Sequence, residues 1–140
     1  MNKEFLDILM KYADKSLKYN DVPVGAIIVK DGKVLSAGFN TREKDQNILG
    51  HAEINAIIEA QKTLNNWNLS GCDLYVTLVP CSMCMEIIKQ SRIDNIYYLL
   101  EKPISKKEFS QTKLVKMDKS DYEIKYGEIL SNFFKKLREK

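Results

Sequence analysis

The sequence predicts an α/β layered domain, a sheet covered by helices. Three observations carry that reading. Short runs rich in β-branched residues alternate with segments of helical period along most of the chain. Two of those runs flank Asp31-Gly32, a strong hairpin signal. Amphipathic patterns stand at both ends. With 140 residues, 44% hydrophobic and 29% charged, the chain fits one domain spanning residues 1–140 and can bury a core around one sheet. This composition argues against disorder.

Residues 4–18 read as an amphipathic helix, because Phe5, Ile8, Leu9, Tyr12 and Ala13 recur at helical spacing between charged residues. Asp21-Val22-Pro23 breaks the pattern. Residues 24–29 and 34–39 form the two hairpin runs, and residues 41–50 are polar enough to be a loop. From His51 the period is helical again, with Ile54, Ile57 and Ile58 expected on one face. Asn65-Asn66 and Ser70-Gly71 punctuate a turn region around Trp67. Residues 74–78 read as a strand closed by Pro80, residues 81–90 as a helix, and residues 93–100 as a further strand. Residues 102–119 have Pro103 near their start and no sustained period. The alternation of Tyr122, Ile124 and Tyr126 predicts a last strand. Residues 128–140 predict a closing helix with Ile129, Phe133, Phe134 and Leu137 inward. No internal repeat or linker interrupts the chain.

No apolar run approaches the roughly 20 residues that span a bilayer, so no membrane partner is expected. Residues 1–15 carry charges throughout, unlike a secretory leader. The expected location is therefore the cytoplasm, where thiols stay reduced. Three cysteines, Cys72, Cys81 and Cys84, then point to metal or redox chemistry rather than a disulfide framework. Cys72, just ahead of a strand, reads as a packing residue. The net charge of +3 is unevenly spread: residues 1–100 hold 11 basic and 12 acidic side chains, residues 101–140 hold 11 and 7. A basic end on a near-neutral body fits either a nucleic-acid footprint or a solvated helix face with a frayed terminus.

The chemistry concentrates in His51-Ala52-Glu53, followed after 26 residues by Pro80-Cys81-Ser82-Met83-Cys84. Alone, the Cys-x-x-Cys pair could be a redox motif, half of a zinc ribbon or buried small residues, and a lone His is commonly structural. Together they match the pattern of zinc deaminases, His-x-Glu followed by Pro-Cys-x-x-Cys. The spacing makes physical sense. Cys81 and Cys84 lie three apart on one helical turn, so both sulfurs can point the same way, and a helix start favours thiolate over thiol. His51 opens a second helix. If the two helix starts face each other, three ligands converge on one zinc and leave the fourth tetrahedral position open, the mark of a catalytic site. Glu53 is close to the metal without being needed as a ligand. A carboxylate there can take a proton from activated water and pass it to the ring nitrogen and the leaving ammonia. Its plainer role is a helix-start residue interacting with the macrodipole.

At this point the sequence resembles the bacterial tRNA-specific adenosine deaminases. The likeness runs through Asp21-Val22-Pro23-Val24-Gly25-Ala26, Gly38-Phe39-Asn40, His51-Ala52-Glu53-Ile54-Asn55-Ala56-Ile57, Leu74-Tyr75-Val76-Thr77-Leu78, Pro80-Cys81-x-x-Cys84, Ser91-Arg92-Ile93 and Phe133-Phe134-Lys135-Lys136-Leu137-Arg138. It covers about residues 4–100 and 128–138. The resemblance implies a three-layer α/β/α cytidine-deaminase-like fold whose central, mostly five-stranded mixed sheet carries helices on both faces. It also implies one Zn2+ per subunit, conversion of adenosine to inosine at the wobble position of a tRNA anticodon stem-loop, and a homodimer. Val22 and Pro23 would line the substrate pocket, Asn40 would hydrogen-bond the nucleoside, and the Ala52 backbone would lie next to the metal. Without the resemblance, Val22-Pro23 reads only as a strand start and Asn40 as a turn cap. The sequence departs from the family at Val79, where Glu is usual, at Leu99-Leu100-Glu101-Lys102-Pro103, and in residues 45–50, which lack Asp-Pro before His51.

Three functions compete on these residues. Deamination of adenosine in tRNA uses both the metal motif and the basic end formed by Lys135, Lys136, Arg138 and Lys140. A free-base or nucleoside deaminase acting on guanine or cytosine shares the site but needs no basic surface. A zinc-stabilised binding module would use the metal for folding alone.

Overall fold

The computed structural model describes residues 2–101 and 112–139. Helix α1 (Lys3–Leu17) leads into a hairpin of β1 (Gly25–Lys30) and β2 (Lys33–Phe39). A short helix α2 (Arg42–Asp45) follows, then α3 (Ala52–Leu64), β3 (Cys72–Leu78), α4 (Ser82–Gln90), β4 (Asn95–Leu100), β5 (Lys113–Lys116) and α5 (Ser120–Arg138). The strands form one mixed five-stranded sheet in the order β2-β1-β3-β4-β5. Strand β1 is antiparallel to both β2 and β3, while β3, β4 and β5 run parallel. The predicted sheet covered by helices is therefore what the chain forms.

Two adjacent residues of β2 reveal the layering. Successive strand residues point to opposite faces. A side-chain carbon on Gly38 would meet Ala52 O and Ala56 N of α3, whereas the Phe39 ring packs against Tyr12 of α1. Helices α1 and α3 thus cover opposite faces of the sheet. Helix α4 packs beside α3, and α5 packs beside α1, where the Tyr122 hydroxyl donates to Asp7 Oδ1 at 2.8 Å. The core fills both faces of the central strands: Ile27, Ile28, Leu74, Val76 and Ile96 are fully enclosed, with Leu6 and Leu9 from α1 and Ile57 from α3. The hairpin turn falls at Asp31-Gly32, both with positive φ, which is why that dipeptide marked it.

Three local expectations are corrected. Tyr122, Ile124 and Tyr126 lie in α5 rather than in a strand. Over a longer window, Tyr122, Tyr126, Ile129 and Leu130 follow helical spacing and face the core, with Ile124 62% exposed. A five-residue window showed the wrong period. Phe134 and Leu137 are exposed and Phe133 is half-buried, because the core-packed stripe of α5 reaches only to Ile129 and Leu130. Ile58 is also exposed; the buried stripe of α3 runs through Ile54, Ala56, Ile57 and Ala60. Within the segment that showed no period, residues 113–116 form β5 at the sheet edge with every side chain exposed, while residues 102–111, Pro103 included, lie outside the described residues.

Candidate active site

At one end of the sheet, where β2 and β3 finish and β1 begins, two helices start side by side. His51 is the N-cap of α3 and Cys81 the N-cap of α4, and neither side chain caps its own helix. Both are spared for another use. Cys84 sits one turn into α4 and is fully buried. The imidazole Nδ1 stands 3.8 Å from the Cys81 sulfur and 3.3 Å from the Cys84 sulfur. All three ligand atoms lie within 4.8 Å of one another. Tetrahedral zinc, with metal–sulfur bonds of about 2.3 Å and metal–nitrogen bonds of about 2.0–2.1 Å, holds its nitrogen and sulfur ligands roughly 3.5–3.6 Å apart. The observed separations bracket that value, and one imidazole with two thiols is a donor set zinc prefers. Among the described residues no fourth side chain joins this cluster.

Electrostatics favour the ligating thiolate at Cys81, while Cys84 and His51 are held towards their protonated forms. The Cys81 thiol is pulled down to about 3, first by the hydrogen bond with Cys84 and then by that with His51. The Cys84 thiol is pushed up, because it shares its hydrogen bond with Cys81 and is buried. His51 is raised chiefly by its hydrogen bond to Cys81. Two helix N-termini aimed at the cluster add positive potential that suits thiolates.

Glu53 occupies the first turn of α3, is only 4% exposed and faces the same space as His51. Burial pushes its carboxyl up to about 7, against smaller opposing effects of its own backbone amide and His51. A carboxyl poised there can both take and give a proton near neutral pH. The cluster opens on a cavity of about 170 Å3 lined by Val22, Asn40, His51, Glu53, Val79 and Cys81, among others.

The structure therefore brings Val22, Asn40, His51, Glu53 and Cys81 to one cavity, with Cys84 behind it. Pro23 is buried outside the lining, and its carbonyl accepts from the Tyr126 hydroxyl at 2.9 Å. Ala52 is buried too, and its amide donates to Asn40 Oδ1 at 2.8 Å. The Asn40 side-chain NH2 in turn donates to Val22 O at 3.0 Å, while its backbone amide donates to Ser16 Oγ at 3.0 Å. Asn40 thus caps α3 from outside, supplying the acceptor that His51 does not. Cys72 is fully buried away from the cluster, and burial pushes its thiol up, as suits a packing residue.

Two cavity residues, Asp21 and Arg42, receive no site role from the sequence alone. The buried Asp21 carboxylate accepts from the amides of Glu43 at 2.8 Å and Lys44 at 3.4 Å, capping α2 across 22 residues of chain. No local pattern relates residue 21 to residue 43. Val79, one of the departures from the family, forms part of the cavity wall, and its amide donates to Leu100 O at 3.0 Å, tying the ends of β3 and β4.

Comparison with known proteins agrees with this geometry. The family profile described as the cytidine and deoxycytidylate deaminase zinc-binding region matches residues 1–100. The tRNA-specific adenosine deaminase of Aquifex aeolicus (strain VF5) is 37% identical over 150 aligned positions, covering 99% of this chain and 97% of that one. A structure from a study of A-to-I editing by tRNA:A34 deaminases at the wobble position of transfer RNA superposes with a TM-score of 0.75 at 29% identity. That match covers 82% of this chain and 98% of the other. A guanine deaminase structure from Bacillus subtilis gives a TM-score of 0.67 at 34% identity, over 72% of this chain and 66% of that one. A three-donor zinc sphere at paired helix starts, on this sheet order and with these relatives, makes the chain a zinc-dependent enzyme belonging to the cytidine and deoxycytidylate deaminase family, on the branch whose members are named tRNA-specific adenosine deaminases.

Proposed function

We propose that this protein hydrolytically deaminates adenosine to inosine in tRNA, at wobble position 34 of the anticodon stem-loop. The observation that carries the chemistry is the buried Glu53 carboxyl beside the His51, Cys81 and Cys84 donors at the floor of one cavity. Those three side chains would hold Zn2+, which when bound acts as a Lewis acid and lowers the pKa of water towards about 7. The protein's own groups do the rest. A Glu53 carboxylate oxygen accepts one proton of the attacking water and delivers it to the ring nitrogen next to C6; it then takes the second proton from the new C6 hydroxyl and delivers it to the amino group as the C6–N bond breaks and ammonia leaves. Val22 forms the apolar wall beside the base. Asn40 positions Val22 and the first turn of α3, and its unused amide hydrogen and oxygen lone pair are available to the nucleoside. Pro23 and Ala52 act through their buried backbones, which fix the two sides of the pocket.

The extended likeness to the Aquifex aeolicus protein supports the tRNA substrate over a free base. So does the basic last turn of α5, where Lys135, Lys136 and Arg138 are exposed, with Lys136 in the same groove as Leu17 and Asn20. Lys140 lies outside the described residues. No helix among the described residues is long and apolar enough to cross a membrane. We place the protein in the cytoplasm as a homodimer; light scattering on the purified protein tests the dimer, and cell fractionation tests the location.

The deciding experiment incubates the protein with tRNA and sequences the product for adenosine read as guanosine at the wobble position. Glu53→Gln should keep zinc and fold while losing about 10²–10⁴ of the rate. Ammonia release from guanine, the substrate named for the Bacillus subtilis neighbour, with none from tRNA would replace the proposal by a free-base deaminase. Full activity of Glu53→Gln would remove the proton-transfer role.

A further inference from the structure

We infer that Arg42 is the anchor for the phosphodiester that flanks the target nucleoside, and so selects a nucleotide within an RNA chain over a free base or nucleoside. The inference rests on the tRNA reading above and deepens it. Its basis is a contrast between a tightly held backbone and an unengaged side chain. Arg42 lines the cavity mouth. Its neighbour Thr41 donates to Gly50 O at 2.8 Å, and Arg42 O accepts from the amides of Gln46 and Asn47. Gly50 packs so closely that a side-chain carbon there would stand 2.6 Å from Arg42 N. Asp21 clamps the next two amides.

Yet the guanidinium is exposed and has no acceptor or carboxylate partner among the described residues. If Arg42 were structural, Asp21 would be its natural partner, since both line the same cavity. Asp21 instead commits its two oxygens to the backbone of residues 43 and 44. The result is a cation on a firmly held stretch of backbone beside the pocket, with five unused N–H donors. A fork of that kind matches two phosphate oxygens, and phosphate contacts are what hold a nucleotide in register while its base is drawn out of the stack.

The test uses the zinc-loaded protein and a synthetic anticodon stem-loop RNA. Two further RNAs each carry one uncharged methylphosphonate linkage, placed either 5′ or 3′ of the target adenosine. On the natural RNA, Arg42→Gln should raise KM about tenfold with kcat within about twofold. It should also flatten the dependence of log kcat/KM on log salt by about 0.7. For the wild type, one of the two methylphosphonates should cause a similar rise in KM. For Arg42→Gln that same linkage should cost nothing more, because the contact is already gone. Arg42→Lys should recover part of the loss. If Arg42→Gln matches the wild type on natural RNA, or if its loss multiplies with that of both linkages, the anchor is overturned while the tRNA reading stands. If the wild type leaves the natural RNA untouched and releases ammonia from guanine, both fail together.

Discussion

Placing the same substitution at two glycines should give opposite results, and the space around each decides the sign. At Gly38 on β2, a side-chain carbon would stand 2.5 Å from Ala52 O and 2.7 Å from Ala56 N. Both are backbone atoms of α3, so no flexible side chain can swing aside. Relieving that overlap moves α3 away from the sheet by about half an ångström. Overpacking of this kind costs about 1–3 kcal/mol, and alanine returns about 0.4–1 kcal/mol by narrowing the unfolded chain's freedom. A net loss of about 1–2 kcal/mol, at about 0.3 kcal/mol per degree for a chain of 140 residues, lowers Tm by about 3–7 °C. Gly127 lies inside α5 with nothing within 4 Å of the added carbon. There alanine gains about 0.5–1 kcal/mol of helix propensity, so Tm rises by about 2–3 °C. The activity readout separates them further. Helix α3 carries His51 at its start and Glu53 in its first turn, so a half-ångström shift costs about tenfold in kcat/KM for Gly38→Ala, while Gly127→Ala leaves it unchanged. Thermal denaturation with zinc analysis and steady-state kinetics measures all of this. A Gly38→Ala protein with unchanged or raised Tm and full activity would refute the claim that glycine is there to let α3 press on β2.

Cys84→Ala leaves only His51 and Cys81 as donors, so zinc affinity should fall at least about a hundredfold, read by metal analysis after dialysis against a graded chelator. Asn40→Ala strips partners from Val22 O and Ala52 N together, and should cost about 2 kcal/mol by urea unfolding as well as weakening the substrate. Tyr98 is held up to about 12 by burial and then by its hydrogen bond to Glu101, against an ordinary 10. Because the folded value is the higher one, its contribution is complete below pH 10 and fades as pH rises towards 12. Tyr98→Phe should therefore show a shallower loss of stability over that alkaline window, followed by circular dichroism against pH.

Each half of the metal site was legible because its spacing is a local matter, Cys81 and Cys84 sharing one turn and His51 and Glu53 another; joining the halves across 26 residues took the zinc-deaminase pattern. The hairpin was legible because Asp31-Gly32 can adopt positive φ at little cost. What stayed hidden was relational. The strand expected at residues 122–126 failed because five residues of α5 happen to alternate, and only the stripe continuing to Ile129 and Leu130 exposes the helical period. β5 carries no buried face to impose a pattern; it exists through its parallel pairing with β4. Asp21 and Arg42 became neighbours only through the folding of the chain between them.

The same distinction explains how the two ligand-bearing helices begin. A helix start usually places Ser, Thr, Asp or Asn at the N-cap, worth about 1 kcal/mol over a residue that does not cap. This chain puts His51 and Cys81 there, and neither caps. For α3 the deficit is made good from a distance by Asn40, whose oxygen takes the Ala52 amide while its NH2 group holds Val22. One residue therefore satisfies the helix start, shapes the pocket wall and leaves the imidazole free. A chain with Asp at position 51 and Ala at position 40 would cap α3 just as well, yet it would have no nitrogen donor for the metal and no strut between the two sides of the pocket. The position of Asn40 makes sense only when stability and chemistry are asked of the same helix end.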